Sequence, residues 1–176
     1  MTATIQELKF GYASFIDSSE LSPFPSLIGD VLGIQDSAYH NLQVNVDTLK
    51  GGRLKVSLLE GAQNFQNPFR AEFRLSPISF TAPIERRINL RIPIPAGYRY
   101  AGSLRSYDVG LPGDGGAFRK SIETVGDELI INTLISLERM RYMQEEYPYI
   151  RKLFSLVEES FSEELIFERV DQSSRP

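Results

Sequence analysis

One histidine and no cysteine stand in a chain of 176 residues. Those two counts remove most side-chain chemistry at the outset. Without cysteine there is no thiolate nucleophile, disulfide or thiolate-bound metal. A single imidazole, His40, cannot build a histidine-rich zinc site. His40 is also the one base of the usual kind for an acyl-transfer triad, which needs nucleophile, base and orienter together. It lies in the polar stretch Ser37-Ala38-Tyr39-His40-Asn41, and no Gly-x-Ser-x-Gly turn precedes a helix. It reads as a surface residue.

Other patterns that invite chemistry are each matched by a plainer reading. Residues 110–116 read GLPGDGG. A phosphate cradle needs a helix after such a loop, usually opened by Lys-Ser/Thr; here Ala117 to Ser121 continue as a strand pattern, so the loop reads as a connection. Asp108 and Asp114 flank it, but two acids six apart do not make a calcium loop. The pairs Glu145-Glu146, Glu158-Glu159 and Glu163-Glu164 invite a two-carboxylate hydrolase reading, yet among 23 acids such pairs carry little information. They read as solvated helix-end residues. Tyr98, Tyr100 and Tyr107 are candidates for stacking on carbohydrate, against the plainer expectation of half-buried rings at strand ends. No catalytic, cofactor or metal residue is assigned.

The elements that would position these groups are mostly strands. Period-two alternation marks Leu8 to Ser14, Leu42 to Val46, Leu54 to Leu58, Phe69 to Leu75 and Ile88 to Ile94. Lys50-Gly51-Gly52-Arg53 predicts a hairpin turn. A second hairpin is predicted for 117–124 and 128–139, with Leu129, Ile131, Thr133, Ile135 and Leu137 on one face. One helix is predicted, starting near Pro148 and stopping around Ser160, with Ile150, Leu153, Phe154, Val157 and Phe161 as its buried stripe. Leu165, Phe167 and Arg169 then predict a last strand. The fold class expected is mainly β: an antiparallel β-sandwich of about eight or nine strands with one C-terminal helix before the last strand. Residues 1–41 read as an N-terminal strand and long connection, 42–170 as the sandwich domain and 171–176 as a frayed tail.

Net charge is −4, with arginines scattered among acids, which disfavours nucleic-acid binding. No run approaches the roughly 18 apolar residues of a membrane span. The N-terminus MTATIQELKF lacks the basic and apolar regions of a signal peptide.

Asn67-Pro68-Phe69, Leu75-Ser76-Pro77-Ile78-Ser79-Phe80, Ile92-Pro93-Ile94-Pro95-Ala96-Gly97-Tyr98 and Glu146-Tyr147-Pro148-Tyr149-Ile150-Arg151-Lys152-Leu153-Phe154 follow one another in order. With the closing Glu164-Leu165-Ile166-Phe167-Glu168-Arg169, the chain resembles the C-terminal β-domain of bacterial exported transglutaminase-like proteins. In those proteins an N-terminal domain of unknown function and a transglutaminase-like module precede it. Phe15-Ile16-Asp17-Ser18-Ser19 faintly resembles the end of that module, which would make Asp17 a stranded remnant of its triad. The catalytic cysteine has no counterpart here, and no histidine precedes Asp17. The resemblance implies a non-catalytic accessory domain, periplasmic or extracellular, whose partner is a transglutaminase-like module or another protein domain. The alternative is an independent binder of carbohydrate or cell-wall fragments.

Overall fold

The computed structural model describes residues 3–6, 41–57 and 66–170. Among them are eleven strands and one α-helix: β1 (Ala3–Gln6), β2 (Asn41–Thr48), β3 (Leu54–Ser57), β4 (Ile78–Ser79), β5 (Ile84–Pro93), β6 (Tyr98–Tyr100), β7 (Tyr107–Gly110), β8 (Gly116–Val125), β9 (Glu128–Leu137), β10 (Arg141–Tyr142), α1 (Tyr147–Phe161) and β11 (Leu165–Arg169). The fold is mainly β, its strand pairs antiparallel, with one C-terminal helix followed by a last strand. The strand count exceeds the expected eight or nine because β4, β6 and β10 are only two or three residues long. Pairs that short leave almost no periodicity in a sequence.

Two larger sheets form, in the orders β1-β2-β3-β11-β6 and β5-β9-β8-β7, and β4 pairs with β10 in a small ribbon. The predicted hairpin turn holds. Gly51 and Gly52 adopt φ of 81° and 72°, where a Cβ would be strained. The second hairpin closes at Gly126, and β9 is paired along its whole length on both edges, with β5 and β8. Its inward row is Leu129, Ile131, Thr133, Ile135 and Leu137, all buried.

One continuous core joins these layers. β5 contributes Ile88, Leu90 and Ile92, β3 and β11 contribute Leu54, Val56, Leu165 and Phe167, and α1 lays Ile150, Leu153, Phe154 and Val157 into it. The helix follows its 3.6-residue stripe and begins and ends within one residue of expectation.

The stretch from Phe69 to Leu75 departs from expectation: it forms no strand. Phe69 is buried, while Phe73 and Leu75 are 71% and 87% exposed, so the alternating residues share no core face. The physical reason is local. Pro68 and Pro77 lack the N–H a ladder requires. The Asn67 side chain also takes the Phe69 N–H, at 2.8 Å, in a tight turn that competes with pairing. The strand expected over Leu8 to Ser14, like most of the long connection over 17–41, lies outside the described residues.

Candidate functional site

Strand alternation places Phe118, Lys120 and Ile122 of β8 on the inward face. A lysine there carries its ammonium into the protein, where it needs a counter-charge. Glu163, in the short turn between α1 and β11, supplies it at 2.8 Å, and both side chains are almost fully buried (6% and 7% exposed). Three further donors converge on that carboxylate. Arg105 Nε lies at 2.7 Å, the Arg105 backbone N–H at 3.2 Å and the Tyr107 hydroxyl at 3.0 Å. Arg105 also reaches Glu159 at 2.7 Å. One carboxylate thereby clasps the end of α1 to β8 and to the segment leading into β7.

Burial acts to raise the Glu163 carboxyl pKa, but the hydrogen bonds from Lys120 and Arg105 outweigh it and hold the group below the usual carboxylate range. Burial lowers the Lys120 pKa, and Glu163 pulls the other way. The Tyr107 hydroxyl, half-buried and donating to an anion, is pushed up to about 12. Lys120 also donates to Ser160 Oγ at 3.0 Å. A serine beside a lysine can be a nucleophile and its base, but only when the amine is neutral. Here Lys120 points protons at Glu163, Ser160 Oγ and, at 3.5 Å, the Ser160 carbonyl. These contacts tie the end of α1 to β8.

Glu163 corrects the reading of the Glu163-Glu164 pair as solvated helix-end residues. Glu164 is exposed and pairs with Lys55, whereas Glu163 is interior. Sequence reasoning missed this cluster, although Lys120 between Phe118 and Ile122 on an apolar face was a usable signal. Glu146 has a structural task as well. Its side chain accepts the Met143 N–H at 2.8 Å and pairs with Arg139.

The other flagged residues are not brought together. Tyr98 and Tyr100 sit on β6 in the five-stranded sheet, and the Tyr100 hydroxyl accepts the Leu104 N–H at 2.7 Å. Tyr107 is in the other sheet, its ring 5.0 Å from Phe118. The glycine-rich loop forms one 3-10 turn, Pro112–Asp114, and then enters β8. Asp108 pairs with Arg119 at 3.0 Å. Among the described residues no group of three or more His, Asp or Glu is placed to hold a metal ion. His40 and Asp17 lie outside the described residues. An open concavity of about 570 Å³ lies mainly over the four-stranded sheet, with Asn89, Asn132 and Ser121 in register across three strands and Tyr107 and Leu134 also in its lining. Its guanidinium groups, Arg87 and Arg119, are already paired with Glu85 and Asp108.

The segment before β4 offers a different kind of site. Asn67 is buried and its amide donates to the Arg151 carbonyl and to Ser155 Oγ, both at 2.9 Å on α1. Phe69 packs edge-on against Tyr147 and Phe154, and the Tyr147 hydroxyl donates to the Ala71 carbonyl at 2.8 Å. Fastened at these points, the segment holds Phe73 and Leu75 out into solvent. Met143, just beyond the Tyr142–Ile78 pairing of β10 with β4, is 50% exposed. Asn67→Ala removes all three side-chain bonds and leaves the Phe69 N–H buried without its acceptor. The expected loss is about 2–3 kcal/mol by urea unfolding. A loss below about 0.5 kcal/mol would show that the anchor contributes little.

Residues 53–167 match the DUF3858 family, described as a domain of unknown function with a solved structure. A crystal structure of a proposed protease from Parabacteroides distasonis is similar over 55% of this chain and 19% of that one, with 16% sequence identity and a TM-score of 0.48. No curated protein matches the chain.

Proposed function

The chain belongs to the DUF3858 family, a domain whose function is unknown, and from that premise we propose that it is a non-catalytic docking domain that packs against another protein domain. The observation that carries the reading is the exposed apolar pair Phe73 and Leu75 on a segment fastened to the core. Large apolar side chains held in solvent are a feature of interaction surfaces, and an anchored segment loses less freedom on binding. The engaged state of Lys120 and the absence of any cysteine support a role without covalent chemistry of its own. The resemblance described above supports a transglutaminase-like module as the partner and a periplasmic or extracellular setting. No helix among the described residues is long and apolar enough to cross a membrane.

The test is association. The chain and a separately produced transglutaminase-like module are mixed and followed by analytical ultracentrifugation. A complex forms with the wild type and is lost in Phe73→Ser/Leu75→Ser, which keeps the wild-type melting temperature because both side chains are already in solvent. Equal binding by the double variant would remove the surface from consideration. Turnover of peptide or amide substrates by the purified chain would refute the non-catalytic assignment.

A further inference from the structure

Independently of the docking reading, we infer that the outer face of the four-stranded sheet binds a neutral, linear oligosaccharide laid across the strands. This face lies opposite the buried row of Ile88, Leu90 and Ile92 on β5. Asn89, Asn132 and Ser121 stand in register on β5, β9 and β8. Ser106, the residue before β7, lines the same concavity. Asparagine is disfavoured in strands. Yet Asn89 and Asn132 stand opposite each other in the middle of two ten-residue strands, both partly buried. Internal bonding does not account for them. Asn132 reaches Ser121 Oγ only at 3.5 Å, and the Asn89 carboxamide has no hydrogen-bond partner among the described residues. Each carboxamide can donate and accept, and that capacity stands unused in the lining of the concavity.

The charges around this ladder come in pairs. Arg87 is held by Glu85, Arg119 by Asp108 and Arg91 by Glu128. A face balanced in this way suits an uncharged ligand better than a phosphate or a carboxylate. Leu134, flanked in register by Arg87 and Arg119, adds aliphatic surface beside the amides. Hydroxyl edges and C–H faces are the two surfaces that a pyranose ring presents. The Tyr107 ring is packed against Phe118, so the carboxamides carry recognition and ring stacking does not. Spacing separates a glycan from an extended peptide. Side chains in register across a sheet repeat with the strands, about 4.7–4.9 Å apart, whereas an extended peptide returns to the same side only every second residue, roughly 6.6–6.8 Å. The rings of a linear, equatorially linked pyranose chain follow one another at close to the strand interval.

Titration of the isotope-labelled full chain with cellohexaose, followed through backbone amide shifts, tests the inference. Saturable shifts are expected, confined to β5, β9 and β8 around Asn89, Asn132 and Ser121. Asn89→Val/Asn132→Val removes both amides with a strand-favouring residue. It is expected to melt near the wild type and to weaken binding by about tenfold or more, as two lost hydrogen bonds would. Ser121→Ala, a milder second variant, weakens it severalfold. Phe73→Ser/Leu75→Ser leaves glycan binding unchanged, so the two surfaces fail or stand separately. No shifts on this face, or equal binding by the valine variant, would overturn the inference. Tighter binding of hexagalacturonate would overturn it by showing that the paired arginines open to anions. Tighter binding of a neutral serine–glycine hexapeptide would overturn it in favour of a peptide.

Discussion

Glu163→Gln is expected to lower the unfolding free energy by about 3–5 kcal/mol, the range for removing one partner of a buried ion pair. The substitution keeps size and shape but leaves the Lys120 ammonium, 6% exposed, without a counter-charge. It also turns the acceptor of four hydrogen bonds into a neutral amide that cannot accept all of them. For a chain of this size the loss corresponds to a fall of about 10 °C in melting temperature. Lys120→Met should be far milder, because Glu163 then keeps Arg105 and Tyr107. Combining Lys120→Met with Glu163→Gln should recover much of the single-variant loss, since no charge is left stranded. A Glu163→Gln protein as stable as the wild type would show that the clasp is incidental.

The same carboxylate sets a pH dependence. Its folded-state pKa is depressed, so its stabilisation is complete above the ordinary carboxylate pKa, near 4.3 in an unfolded chain. It disappears as pH falls through the lower folded value. Glu85, held down by its hydrogen bond with Arg87, and Glu146, held down by the Met143 N–H, act in the same sense. Both are more open to solvent and contribute less. The wild type should thus lose stability steeply below pH about 4.3, and Glu163→Gln should show a shallower acid slope in parallel urea titrations.

Gly116→Ala is expected to be as severe, by about 3–5 kcal/mol or outright failure to fold, the range reserved for backbone clashes and strain in a core. A Cβ at Gly116 would stand 2.2 Å from the Ser136 carbonyl oxygen, 2.9 Å from its carbonyl carbon and 3.0 Å from the Leu137 Cα. All three are backbone atoms of β9, the strand paired on both edges, so the neighbour cannot yield without breaking its ladder. The φ of +143° adds strain for any L side chain. Gly110→Ala is the internal control, because its Cβ would meet nothing within 4 Å and its φ is not in the positive region. It should melt within about a degree of the wild type, as surface substitutions do. If Gly116→Ala melted there too, the close approach would have no energetic meaning.

Gly116 also explains why the glycine-rich stretch looked like chemistry in the sequence. Glycine is selected wherever backbone must approach something closely. At Gly116 the approaching group is a neighbouring strand, and at Gly115 the carbonyl accepts the hydroxyl of Tyr142, a fully buried ring. Composition reports the close approach without naming what approaches.

The sequence by itself determined the elements whose signal is local and repeated. The β2–β3 turn is written in Gly51-Gly52, the faces of β5 and β9 in alternation, and α1 in the spacing of Ile150, Leu153, Phe154 and Val157. Absent residue types were equally legible, since the lack of cysteine needs no fold to interpret. Tertiary structure decided the rest. Residues 69–75 carry the alternation of a strand, but Asn67 and two flanking prolines divert the backbone to α1, and Phe73 and Leu75 end in solvent. Glu163 stands beside Glu164 in a plainly acidic run, yet one is interior and the other exposed. Its burial depends on Lys120, 43 residues away in sequence, and charge pairing across that separation leaves no periodic trace in a single chain. The long strands and the helix were set by neighbours along the sequence, while the shortest strands, the buried clasp and the displayed side chains were set by neighbours in space.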